Sequence, residues 1–158
     1  MAVVELLLSP LPAHVRTARL VAVAAARRAG LDDELVDELR LAVGEACSRA
    51  VGLHGRHAPD SPVWLTVADD PNGLTLSVGD VGPAAGPVPD DAGEGLLAGP
   101  DVGGGLDELA DPDVALAVLH GLVDELTVHS EPGGTVITMR WPLGAGAVGA
   151  RATIVAQR

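Results

Sequence analysis

The amino-acid sequence predicts an α+β domain, a two-layer sandwich of helices on one face of a mixed, mainly antiparallel sheet. Three observations carry this expectation. A short apolar run is followed by two segments of helical spacing, two pairs of strand-like runs each flank a turn signal, and a further helical segment stands between those pairs. The length of 158 residues suits one domain. We assign it to 1–143, with 81–110 as a lid-like irregular segment, and read 144–158, rich in Gly and Ala, as a mobile C-terminal tail.

Each element has its own justification. Ala2 to Leu8 is an apolar run closed by Ser9-Pro10-Leu11-Pro12, the pattern of a strand ending in a proline-punctuated loop. From Ala13 to Ala29 the chain is alanine-rich with Arg16, Arg19 and Arg27 at helical spacing, and Gly30 supplies a C-cap. Asp32, Asp33 and Glu34 open a second helix, where carboxylates complement the helix dipole. Its apolar positions Leu35, Leu39, Ala42, Ala46, Ala50 and Leu53 step by three or four, which carries it to about Leu53.

The runs Pro62 to Ala68 and Leu74 to Gly79 flank Asp70-Pro71-Asn72-Gly73, residues suited to a tight turn, and form a hairpin. Period two places Leu74, Leu76, Val78 and Asp80 on one face of the second strand. Val81 to Ala110 holds Gly, Pro and acids without periodicity, and so long an irregular stretch inside a domain is usually functional or disordered. Asp111-Pro112 fits an N-cap with proline at the first helical position, and Val114 to Val123 continues a third helix. Leu126 to His129 and Thr135 to Trp141, joined around Pro132-Gly133-Gly134, complete a closing hairpin.

Composition narrows the function classes. There are 22 Asp and Glu against 10 Arg, no Lys, and a formal net charge of −12. Direct binding to duplex nucleic acid or to an anionic membrane surface draws on clustered cations, and this balance opposes both. Trp64 and Trp141 are the only aromatic residues, so base stacking on single strands lacks its side chains. The longest uninterrupted apolar run, Leu20 to Ala26, is far too short to span a membrane, and the first residues carry Glu5 and no basic residue. We expect a cytoplasmic protein. Cys47 is alone, which excludes an internal disulfide and suits a buried small hydrophobe. Seven Arg precede His57, whereas 15 acids and no cation lie between Arg56 and Arg140. That asymmetry reads either as a solvated acidic surface or as two faces of opposite sign, one for each of two protein partners.

The segment Leu39-Arg40-Leu41-Ala42-Val43-Gly44-Glu45-Ala46-Cys47-Ser48-Arg49-Ala50-Val51 resembles the N-box helix of anti-sigma factor serine kinases, members of the histidine-kinase-like ATPase (GHKL) superfamily. Three further blocks stand in the family's order. Ser77-Val78-Gly79-Asp80-Val81-Gly82 looks like its adenine-binding strand and turn. Gly121 to Leu126 looks like the end of the helix after the ATP lid, and Pro132 to Ile137 like the final hairpin.

The resemblance covers about Val3 to Leu143 and implies a GHKL-type fold that binds ATP or ADP. It implies a homodimer that sequesters a sigma factor and releases it to a STAS-domain antagonist, which kinase members phosphorylate on serine. Glu45 matches the catalytic glutamate, a general base beside a bound nucleotide. Asp80 matches the aspartate that accepts from the adenine amino group, and Gly82 lets the backbone approach the base. Independently of the resemblance, a carboxylate on an apolar strand face needs a donor.

Departures from the family pattern bear on turnover. Arg49 stands where the family holds its magnesium-ligating asparagine, and a guanidinium has five donors and no acceptor. It either pairs with Glu45 one helical turn earlier or contacts phosphate directly. Ala84 replaces a second glycine, and Asp113 and Ala115 occupy glycine-box positions, where an aspartate would repel phosphate. Gly103-Gly104-Gly105 is either a substitute phosphate cradle or a flexible linker.

No metal ligand set is assigned. His54 and His57 have only Asp60 near, and His54 is read as a cation complementing the helix C-terminus. The expectation is an anti-sigma regulatory factor with reduced kinase activity and little use for magnesium. The alternatives are a nucleotide-free protein-binding switch on the same fold and an unrelated small α+β enzyme.

Overall fold

A computed structural model describes residues 2–83 and 112–143. Strand β1 (Ala2–Leu8) is followed by helices α1 (Pro12–Ala29) and α2 (Asp33–His57), the hairpin β2 (Val63–Asp70) and β3 (Gly73–Asp80), helix α3 (Pro112–Leu122), and the hairpin β4 (Glu125–Glu131) and β5 (Gly134–Pro142). The sheet order is β1-β2-β3-β5-β4, and all four neighbouring pairs are antiparallel. The three helices pack on one face of these five strands, so the expected α+β architecture is present.

Local chemistry sets the element ends. Proline opens α1, and Gly30 closes it at φ 87°, a left-handed position that costs glycine little, while its N–H bonds the helix's last carbonyls. In the first hairpin Asp70 pairs with Gly73 across Pro71 and Asn72, and Asp70 Oδ1 accepts the Asn72 N–H at 2.7 Å. Helix α2 runs one turn beyond the expected Leu53, because His54 is itself buried and the core continues to it.

α2 is the central helix, packed against α1, α3 and the middle strands. Alanines line much of the helix contact, Ala18, Ala22, Ala25 and Ala26 on α1 and Ala42, Ala46 and Ala50 on α2, all buried. Short side chains let the helix axes approach closely, and bulk comes from the sheet side through Leu65, Leu74, Leu76, Ile137 and Met139. Cys47 is buried in this interface, and desolvation pushes its thiol up to about 12, so it serves as packing rather than as a nucleophile.

The two tryptophans lie on opposite faces of the sheet. Trp141 is buried under the helices and its Nε1–H donates to Glu38 Oε1 at 2.7 Å. Trp64 points to the open face and lies across Gly79, where an added Cβ would sit about 1.9 Å from the indole ring. No side chain fits at residue 79 without displacing Trp64. Gly79→Ala should therefore cost about 1–3 kcal/mol by overpacking, measurable as a lower denaturation midpoint at unchanged slope.

Burial raises the Glu38 carboxyl, the Trp141 hydrogen bond partly opposes this, and the charges of Asp124 and Glu34 add to the rise. An acid whose folded value is raised contributes stability that is present at low pH and lost as pH rises through that value. Compared with Glu38→Gln, which keeps an acceptor for Trp141, the wild type should lose relative stability as pH rises above the ordinary carboxylate range in paired unfolding titrations.

Candidate functional site

The later half of α2 brings Arg49, Leu53 and His54 toward the end of β3. Arg49 lies on the apolar stripe of the helix, seven residues after Ala42 and three after Ala46, so the helical repeat turns it inward. Asp80 lies on the inward face of β3 with Leu74, Leu76 and Val78, as the strand period requires. The two charges meet. Arg49 Nη1 donates to Asp80 Oδ2 at 2.7 Å, and the side chains are only 1% and 2% exposed.

The second oxygen of Asp80 is engaged too, accepting the Gly82 N–H at 2.9 Å. Gly82 packs close to Leu53 and to the Asp80 carboxylate, which leaves little space for a side chain there. Arg49 Nε is buried without a hydrogen-bond partner. That orphaned donor costs about 1–3 kcal/mol, so the closed arrangement carries a defect as well as a strong bond.

His54 provides a second tie. Its Nε2 accepts the Val81 N–H at 2.9 Å, and its Nδ1 lies 2.8 Å from the Ser61 carbonyl oxygen. Because an amide N–H can only donate, Nε2 carries no proton and Nδ1–H is the donor to Ser61. The reading of His54 as a cation at the helix end is corrected: the ring is fully buried and bridges the loop after α2 to the residue after β3. Arg49 and His54 thus hold residues 80–82 from one helix.

Among the described residues no ion pair joins Arg49 to Glu45; the guanidinium turns to Asp80 instead. Glu45 is half-buried one helical turn before Arg49. Gly103, Gly104, Gly105, Ala84 and the Asp113 side chain lie outside the described residues, and Ala115 is buried in α3. Among the described residues no group of three or more His, Cys, Asp or Glu is placed to hold a metal ion. A cleft of about 70 Å³ between Leu35, Glu38, Asp124 and Trp141 lies toward the other end of α2, well below the roughly 300 Å³ of an ordinary small-molecule site.

Sequence reasoning missed the Arg49–Asp80 pair, whose partners are 31 residues apart. A signal was present: one cation on an apolar helix stripe and one anion on an apolar strand face, each needing a partner. For the His54 bridge no such signal exists, since both of its partners are backbone groups.

Removing one member of a buried pair strands the other's charge. Asp80→Ala should lose about 3–5 kcal/mol, whereas Arg49→Met combined with Asp80→Ala should lose clearly less than the sum of the single changes, a coupling that a double-mutant denaturation cycle measures.

Comparisons with known proteins place this geometry. The model of the histidine kinase-like ATPase domain matches residues 8–141. The solved structure of the RsbU and RsbW domains of Rv1364c from Mycobacterium tuberculosis matches with a TM-score of 0.63 and 20% identity. That match covers 97% of this chain and 35% of the other, so the chain spans about a third of that protein's length. No curated protein gives a significant match. With most of its length under one family model, and with helices and sheet arranged as in that solved relative, the chain belongs to the histidine kinase-like ATPase domain family.

Proposed function

We propose that the chain is a cytoplasmic anti-sigma regulatory factor that sequesters a sigma factor, yields it when a STAS-domain antagonist binds, and has reduced kinase activity. The observation that carries this reading is where the four sequence blocks fall in the fold. Leu39 to Val51 lies within α2, Ser77 to Gly82 spans the end of β3, Gly121 to Leu126 joins α3 to β4, and Pro132 to Ile137 forms the turn into β5. The RsbW domain named in the solved relative agrees with this assignment. Among the described residues no helix is long and apolar enough to cross a membrane.

The surface supports a protein-binding role. α1 exposes Arg16, Arg19, Arg27 and Arg28 and contains no acid, in a chain whose net charge is −12. Leu20 is exposed among these arginines, and Val3 and Leu7 are exposed on the edge strand β1. An exposed leucine among arginines on α1 suits an acidic protein surface, and the β1 edge suits pairing of two copies into a homodimer. The occupied carboxylate of Asp80 favours a second reading, in which the same domain exchanges partners without nucleotide.

Titrating the chain against the sigma factors of its own genome should yield one stoichiometric complex that a STAS-domain antagonist dissolves. Reversing Arg16 and Arg19 to Glu should weaken that complex roughly tenfold or more and steepen its loss with salt, since the contact is charge-driven. Sedimentation should show a dimer at micromolar concentration. A chain that captures no sigma factor refutes the assignment.

A further inference from the structure

The buried charges where α2 meets β3 do not suit the magnesium nucleotide that family membership implies. A magnesium ion at residue 49 would meet a guanidinium with donors only. An amino donor approaching Asp80 would meet a carboxylate that is 2% exposed, with one oxygen on Arg49 and the other on the Gly82 N–H. Spare lone pairs exist on both oxygens, but a group so enclosed offers no path to them while Arg49 stays in place.

We propose that Arg49 is a built-in latch: its guanidinium holds the position at Asp80 that a ligand's amino group would need, and an adenine nucleotide gains access only when the Arg49–Asp80 contact opens. Two observations beyond the pair argue for a latch rather than a permanent strut. Arg49 Nε is buried and unpartnered, so the closed state leaves a donor unsatisfied, and a phosphate-bearing ligand brings the acceptors it lacks. The residues leaving β3 lie beside the contact, with Val81 held by His54 and Gly82 by the same Asp80 carboxylate that Arg49 engages, so a change at that carboxylate reaches the chain next to the site. Opening exchanges one buried bond for others and leaves the sheet and helices as they are.

This inference rests on membership of the family and not on the identity of any protein partner. Calorimetry with ATP and ADP, with and without magnesium, should find weak binding by the wild type and at least tenfold tighter binding by Arg49→Asn. Arg49→Lys keeps a cation beside Asp80 and should stay near the wild type. Adding Asp80→Asn to Arg49→Asn should abolish the gain. Equal affinity of Arg49→Asn and wild type, or a gain that survives the loss of the Asp80 carboxylate, overturns the latch.

A wild-type measurement stands beside these variants in case Arg49→Asn does not fold. The Arg49 Nε–H resonance, followed by nitrogen-15 NMR, should move as ATP is titrated to its highest soluble concentration, and a resonance that does not move overturns the latch. Failure to capture a sigma factor strikes the proposed function and leaves these nucleotide comparisons unchanged. An Arg49→Asn variant no tighter than wild type strikes the latch and leaves sigma capture standing.

Discussion

A guanidinium and a carboxylate removed from water on facing surfaces of a helix and a sheet favour the one alignment in which they meet, because any other strands both charges. Arg49 and Asp80 meet at 2.7 Å, and the demand fixes more than one contact. α2 can neither rotate nor slide by a residue against β3 without stranding both charges. That sets the register of the central helix, and α1 and α3 take theirs from it because both pack on α2. The pair gives the fold a definite alignment that an interface of alanines, with few distinctive shapes to interlock, specifies only loosely.

The rest of the layer shows the same division of labour. Small residues let α1 and α2 come close, and branched residues of the strands fill the space beneath them. Position is then assigned by the few polar groups that enter the core. Trp141 donates to Glu38 near the start of α2, Arg49 to Asp80 in its second half, and His54 ties its last turns to both Ser61 and Val81. One helix is pinned to the strand layer and its loops at three levels, in a chain with no disulfide and with its single cysteine used as filler.

The legible and the illegible parts of this fold differ in physical kind. Local signals exposed every described element: apolar runs, cap and turn residues, and periodicity, since the steps of Leu39, Ala42, Ala46, Ala50 and Leu53 and the alternation of Leu74, Leu76 and Val78 are local properties of a chain burying one face. Turn chemistry placed Gly30 and the Asp70 to Gly73 turn almost to the residue. The inward position of Asp80 followed from the strand period, yet its partner did not, since nothing local tells which of seven earlier arginines will reach it. The His54 bridge was invisible because backbone amides and carbonyls leave no mark in sequence. Placing His54 at the helix terminus as a cation assumed solvent there, whereas the loop through Ser61 covers it.

The opposite placement of the two indoles gives the protein a property of a different sort. The chain has no Phe or Tyr, so Trp64 and Trp141 alone account for its near-ultraviolet spectrum. One ring is sealed between helices and sheet with its N–H bound to a carboxylate, and the other is partly exposed on the far side over a glycine. Intrinsic fluorescence therefore contains two components of different colour and quencher accessibility, one for each side of the strand layer. An event on the outer surface of the sheet and a loosening of the helical layer register separately, without a label.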